Sequence, residues 1–226
     1  MSPSLFLFDI DGTLLNTGGA GRRAMASAFG LHYLRPDACE GFSFGGMTDR
    51  AIVRRALRAI ERDDSEEAID EVLATYLARL AAELSVGATV LCPGVLPLLD
   101  RIASVGRSAL GLGTGNVRAG ALLKLTSASL ADRFAFGGFG CDAEDRSVLL
   151  RISALRGAQA LGISLERCRI VVLGDTPKDI EAARSLGASC VAVATGPFSR
   201  EQLAVYSPDL CCDDLCDPRI PSFLGV

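Results

Sequence analysis

The run Leu-Phe-Leu-Phe at positions 5 to 8 restricts the fold more than any other feature of the chain. It has no polar position, so as a strand it must be buried on both faces. That calls for a sheet covered above and below by other elements. The run then stops in Asp9-Ile10-Asp11-Gly12-Thr13, with two carboxylates one residue apart at the mouth of the strand.

Further apolar runs alternate with stretches of helical period. Strand-like segments are expected at 107–113, 134–140, 169–174 and 189–195, and amphipathic helices at 95–106, 116–130, 145–162 and 177–187. This alternation predicts a parallel α/β sheet with helices on both faces. A helical block interrupts it between the first strand and the rest. It includes 18–30, expected to close at Gly30, then 49–60 and 65–84, with Ser65 as a helix N-cap.

The 226 residues are 49% hydrophobic, enough for one well-packed unit with an insertion. No apolar run approaches the roughly 20 residues of a membrane helix, and no basic, apolar leader opens the sequence. A net charge of -4 without a basic block argues against nucleic acid or a membrane surface as partner. The expectation is a soluble cytoplasmic protein, monomer or homodimer, with free thiols at its eight cysteines. The segment Cys-Cys-Asp-Asp-Leu-Cys at 211–216 lacks the paired arms and histidines of a zinc site and reads as free cysteine.

Polar residues follow three of the strands. Asp9 and Asp11 follow the first; Thr114, Gly115 and Asn116 follow 107–113; Asp175 follows 169–174, with Asp179 four residues on. Each alone is an ordinary turn or cap residue. Ligands of open parallel sheets sit outside the carboxyl ends of the strands, so neighbouring strands would bring these residues to one site. The strand order itself stays open at this level. Four carboxylates in one place raise one another's pKa, a penalty that a divalent cation removes. Oxygen ligands in small number suit Mg²⁺.

Asp-Ile-Asp-Gly-Thr-Leu-Leu at 9–15, Leu-Gly-Thr-Gly-Asn at 112–116 and the segment 173–183 resemble motifs I, II and IV of the haloacid dehalogenase superfamily, in order and spacing over nearly the whole chain. The segment 174–188 and the following Val-Ala-Val-Ala-Thr-Gly are most similar to its phosphoglycolate phosphatase-like branch. The resemblance implies a Rossmann-like three-layer core at 1–17 and 89–226 and an inserted helical cap at 18–88. It implies that Asp9 is the nucleophile and metal ligand, and that Asp11 is the general acid and base, also a metal ligand through its carbonyl. Asp175 and Asp179 would complete the Mg²⁺ site. Thr114, Gly115 and Asn116 would hold the phosphoryl oxygens.

The superfamily's motif III lysine has no counterpart, because no lysine lies between Lys124 and Lys178. Arg146 is the substitute by position, with Arg151 and Lys178 as alternatives. In the block 18–88, Thr48 and Arg50 close the glycine-rich stretch 41–50 and are candidates to read the leaving group; a helix N-cap at Thr48 or Asp49 is the equal alternative. Arg22 and Arg23 would attract an anionic substrate or simply be exposed. The absence of lysine from 16–90 argues against Schiff-base chemistry, and Asp11 argues against a dehalogenase. The expected function is Mg²⁺-dependent hydrolysis of a small phosphorylated metabolite, phosphoglycolate-like, through an aspartyl phosphate. A phosphomutase and a non-catalytic phosphate- or Mg²⁺-binding module are the alternatives.

Overall fold

The computed structural model describes residues 3–226. Strand β1 (Ser4–Phe8) lies in the middle of a six-stranded parallel sheet of order β5-β4-β1-β6-β7-β8. Its neighbours are β4 (Ser108–Gly113) and β6 (Arg169–Gly174); outside them lie β5 (Phe136–Gly138), β7 (Ser189–Val193) and β8 (Leu210–Cys212). The helices α4 (Val95–Ser104), α5 (Arg118–Ser127), α6 (Arg146–Ala160), α7 (Pro177–Leu186), α8 (Arg200–Ala204) and α9 (Arg219–Leu224) alternate with these strands. No helix among the described residues is long and apolar enough to cross a membrane.

The two-sided burial of β1 follows its sequence. Leu5, Phe6, Leu7 and Phe8 are all inaccessible to solvent. Phe6 and Phe8 join Val171, Leu173, Val191 and Val193 in one core, against α4, α5 and α9. Leu5 and Leu7 turn the other way, onto Leu149, Leu150 and Ala154 of α6 and Ile180 and Ala183 of α7. Each such side chain contributes about 1.5–3 kcal/mol by leaving water, which forces the strand to the centre of a three-layer structure.

Register settles what the strand pattern left open. Phe8 pairs with Leu112 on one side and Leu173 on the other. The chain segments that open at Asp9, Thr114 and Asp175 therefore leave the sheet at the same edge, side by side.

Helices α1 (Ala20–Tyr33), α2 (Asp49–Ala59) and α3 (Glu66–Val86) form an apolar cluster of their own, built on Met25, Phe29, Ile52, Leu57, Ile69, Tyr76 and Leu80. Two short strands, β2 (Leu15–Asn16) and β3 (Val90–Leu91), pair antiparallel where the chain enters and leaves this unit. Thr48 caps α2 by accepting from the Ala51 N–H, and Ser65 caps α3 by accepting from Ala68.

Two expectations need correction. Helix α1 does not end at Gly30 but runs to Tyr33, and Leu34 at φ 56 turns the chain away. Gly30 lies inside the helix, and a Cβ there would meet Pro36 at an ordinary contact distance of 3.6 Å. The segment 210–212, noticed in the sequence only for its cysteines, is the sixth strand, with Cys212 fully buried. No group of metal-ligating side chains among the described residues includes those cysteines.

Candidate active site

Asp9 is the first residue beyond β1. Its N–H still donates to the Leu173 carbonyl at 2.9 Å, so the neighbouring strand fixes its backbone. One carboxylate oxygen accepts from the Ile10 N–H at 2.8 Å and the other faces the Arg146 guanidinium at 2.8 Å. Burial raises its pKa to about 6 against the opposing pull of Arg146; Asp179 and Asp11 push the same way as burial. The two carboxylates of the opening motif are differently housed, for Asp9 has 9% of its side chain exposed and Asp11 has 45%.

Oxygens of Asp9, Asp175 and Asp179 lie within 4.8 Å of one another. Asp175 accepts from the Thr13 hydroxyl at 3.0 Å through one oxygen, while its other oxygen is buried without any partner. The space around that oxygen depends on two glycines. A Cβ at Gly196 would come within 1.7 Å of it and one at Gly12, which sits at φ +78, within 2.4 Å. Burial, then Asp9 and Asp179, raise the Asp175 pKa well above the usual carboxylate range.

Asp179 is wholly buried and tied by both oxygens. One accepts from Arg146, at 2.9 Å from Nε and 2.5 Å from Nη2; the other accepts from the N–H and hydroxyl of Thr176 in a capping box at the start of α7. Arg146, the first residue of α6, thus bridges Asp9 and Asp179 and also donates to the Gly113 carbonyl at 3.2 Å. One guanidinium touches two of three buried carboxylates, Asp9 and Asp179 but not Asp175. The excess negative charge, the orphaned Asp175 oxygen and the glycine-lined space beside it fit a small divalent cation bound by oxygen ligands.

On the other side of Asp9, a closed network holds Asp11. The Lys124 ammonium, 5% exposed, donates to both Asp11 oxygens at 2.6 and 2.8 Å and to the Asn116 side-chain carbonyl at 2.7 Å. Asn116 in turn donates through its amide nitrogen to Asp11 and to the Thr114 hydroxyl, both at 2.8 Å. Lys124 is the functional-looking residue that sequence reasoning passed over. Its signal was available, since it is one of only two lysines and lies two turns along the helix that opens after Asn116.

A cavity of about 460 Å³ opens above these groups, between the sheet edge and the three-helix unit. Asp9, Asp11, Gly115, Asn116, Lys124, Arg146 and Asp175 reach it from the sheet side, and Arg22, Met25, Asp49, Ile52 and Tyr76 from the helices. The two sides touch through backbone. The Asp49 N–H donates to the Gly115 carbonyl at 2.8 Å, and the Asp49 carboxylate accepts from the Val117 N–H at 2.8 Å, at the start of α5. Burial raises the Asp49 pKa to about 6, with Lys124 opposing. Gly115 is required there, because a Cβ would fall 2.2 Å from the Met47 carbonyl oxygen.

Not every candidate residue comes to this cavity. Arg50 turns away and pairs with Glu66 and Asp70 of α3, and Thr48 is spent on capping α2. Lys178 lines a smaller neighbouring cavity with Glu144 and Glu181, and Arg151 is exposed on α6. Of the three cations weighed for the missing lysine, Arg146 alone touches Asp9.

A parallel sheet with a carboxylate cluster at the ends of its central strands, facing three helices across a cavity, is an α/β protein with a site built for metal and anion chemistry. The chain belongs to the haloacid dehalogenase-like hydrolase family, whose model matches residues 3–187. It is 29% identical over 219 residues to a phosphoglycolate phosphatase of Rhodospirillum rubrum, covering 94% of this chain and 88% of the relative. Similar solved structures include a predicted phosphoglycolate phosphatase from Haemophilus somnus (TM-score 0.71, 20% identity, 98% of both chains). CbbY from Rhodobacter sphaeroides in complex with phosphate is another (TM-score 0.73, 21% identity, 96% of both chains).

Proposed function

We propose that this protein is a Mg²⁺-dependent phosphatase that hydrolyses a small phosphate monoester through an aspartyl phosphate on Asp9. The observation that carries the reading is the Asp9–Asp175–Asp179 group locked by Arg146 at the common edge of β1 and β6. The family and the Rhodospirillum rubrum relative support it and make phosphoglycolate the first ester to try. Helices α1 to α3, residues 18–88, act as the cap over a core made of 1–17 and 89–226. The protein works in the cytoplasm, as monomer or homodimer.

Mg²⁺ would be held by Asp9, the Asp11 carbonyl and Asp175, with Asp179 beside them, and would supply positive charge against the phosphoryl oxygens. The chain's own groups do the rest. The Ile10 N–H and Arg146 fix the Asp9 carboxylate, so the attacking oxygen is aimed before substrate arrives. An Asp9–phosphorus bond forms as the ester P–O bond breaks, and Asp11 gives a proton to the departing oxygen. A water then attacks phosphorus, Asp11 takes its proton, and Asp9 is released. The Gly115 N–H, without an acceptor among the described residues, and the Arg146 fork meet the phosphoryl oxygens; Asn116, whose amide N–H groups are engaged, positions Asp11 and Thr114 beside them.

The test is phosphate release from a panel of monoesters with and without Mg²⁺, with Asp9→Asn alongside. Mg²⁺-dependent release that disappears in the folded variant is the expected result. Turnover of Asp9→Asn near that of the native protein would remove Asp9 as nucleophile. A requirement for a bisphosphate activator would instead mark a phosphomutase.

A further inference from the structure

Resting on the phosphatase reading, we propose that the cap side of the cavity is a hydroxyl-reading subsite. In it Tyr76 donates a hydrogen bond to a hydroxyl of the leaving alcohol and Asp49 accepts one from it. The preferred substrates are then short polyol or sugar phosphates, in preference to carboxylated esters.

The argument starts from Tyr76. It is 1% exposed in the middle of α3, yet its phenol lines the cavity and has no hydrogen-bond partner among the described residues. A phenylalanine would pack as well; the hydroxyl opens into the cavity, where it can meet something that enters. Burial, with Asp49 and Asp11 near, raises its pKa well above the usual phenol value, so it arrives as a neutral donor.

Asp49 supplies the complement. Only one of its oxygens is taken, by the Val117 N–H, and the residue lines the same cavity. Gly21 of α1 borders the same wall, within ordinary contact distance of the Tyr76 hydroxyl and the Lys124 ammonium. The cap side of the cavity wall thus offers one donor and one acceptor.

A hydroxyl answers both, since it accepts from Tyr76 and donates to Asp49. A carboxylate would satisfy Tyr76 alone and bring another anion beside Asp49 and Asp11. The cations that line the cavity are committed elsewhere. Lys124 gives its three N–H groups to Asp11 and Asn116. Arg22 donates to the Cys39 and Phe42 carbonyls and lies 3.9 Å over the Phe44 ring. An alkyl group would leave donor and acceptor both unmet, the situation in which a polar site rejects a ligand most strongly. The cavity of about 460 Å³ leaves room for a polyol or sugar beside the phosphoryl group.

Three two-carbon esters separate the possibilities: ethyl phosphate, 2-hydroxyethyl phosphate and phosphoglycolate, each at saturating Mg²⁺, with p-nitrophenyl phosphate as a general reporter. The native protein should show kcat/KM at least about 10-fold higher for 2-hydroxyethyl phosphate than for either of the others, the effect of two hydrogen bonds, one of them to a carboxylate. In Tyr76→Phe the ratio of 2-hydroxyethyl to ethyl phosphate should fall about 5-fold, the share of the Tyr76 bond, while Asp49 keeps the remainder, with the thermal midpoint retained because the lost hydroxyl has no partner among the described residues. A native preference for phosphoglycolate overturns the subsite, as does an unchanged ratio in Tyr76→Phe. If p-nitrophenyl phosphate itself is not hydrolysed, the phosphatase reading falls and the subsite with it. Hydrolysis of that reporter without selection among the three esters removes the subsite alone.

Discussion

Replacing Arg146 by methionine deletes the one cation in contact with Asp9 and Asp179 while keeping most of the side-chain volume. At 2.8 Å and an effective dielectric constant of about 20, the Arg146–Asp9 pair alone is worth about 6 kcal/mol of Coulomb energy. The guanidinium no longer has to be desolvated, which returns part of that; truncating one member of a buried pair leaves a net loss of about 3–5 kcal/mol. For a chain of this size about 2–4 °C is lost per kcal/mol, so the metal-free melting midpoint should drop by about 6–20 °C. The carboxylates respond by holding protons more tightly, hence the deficit should be larger at pH 8 than at pH 5. Added Mg²⁺ should then raise the midpoint of Arg146→Met more than that of the native protein, because it supplies the missing charge. Turnover should fall at least about 100-fold even with metal, as expected for removal of one preorganised phosphoryl donor. Thermal melts in chelator and in Mg²⁺, at the two pH values, read all of this. A metal-free midpoint within about 3 °C of the native one would refute the reasoning, since it would mean that the three carboxylates do not need this cation. Turnover lost in Lys178→Met and kept in Arg146→Met would transfer the role.

Asp49 gives a second, pH-dependent test. Its folded pKa of about 6 lies above the unfolded value of about 3.9, so the folded state binds more protons between those limits. Metal-free stability should fall as pH rises from about 4 to 6, by up to about 3 kcal/mol from this group, and Asp49→Asn should lack that share of the slope in urea unfolding. Gly196→Ala would put a methyl against the orphaned Asp175 oxygen; Mg²⁺ affinity, read by calorimetry, should weaken at least about 10-fold. Lys124→Met frees the Asp11 carboxylate to wander, so turnover of alkyl phosphates should fall about 10- to 100-fold. Aryl phosphates, whose leaving group needs no proton, should lose much less; equal losses on both would make Lys124 merely structural.

The core was legible because its signals are local. A strand with no polar position, such as Leu5–Phe8, has one place to go, and the helices between strands carry their period on the surface of the sequence. The three motif segments were visible for the same reason, each sitting at the end of an apolar run. Strand order was not, because it is decided by which side chains interlock across the sheet, and only the pairing of Phe8 with both Leu112 and Leu173 brings the segments together. The helical unit was the least readable part of the site. Arg50 looks in sequence like a ligand-binding residue at a helix start, but Glu66 and Asp70 of α3 claim its charge. Tyr76 looks like ordinary core at helical spacing, and only the three-dimensional position of its hydroxyl sets it apart. Strand β8 was hidden by its cysteines, which drew notice as thiols where the fold uses Cys212 as a small buried apolar group.

The central position of β1 also has a consequence for how the molecule comes into being. The strand emerges from the ribosome first among the described elements, but the Asp175 side chain that its Thr13 must meet lies 162 residues further on. At the usual 5–20 residues per second, the two are separated by about 8–30 s of synthesis. Through that interval a wholly apolar strand has no partner on its β6 side, and Asp9 lacks the carboxylates that surround it in the folded protein. The nascent chain should therefore be a client of holding chaperones until residue 174 is clear of the exit tunnel. Substitutions that slow translation between α5 and β6 should lower yield without touching the stability of the finished enzyme.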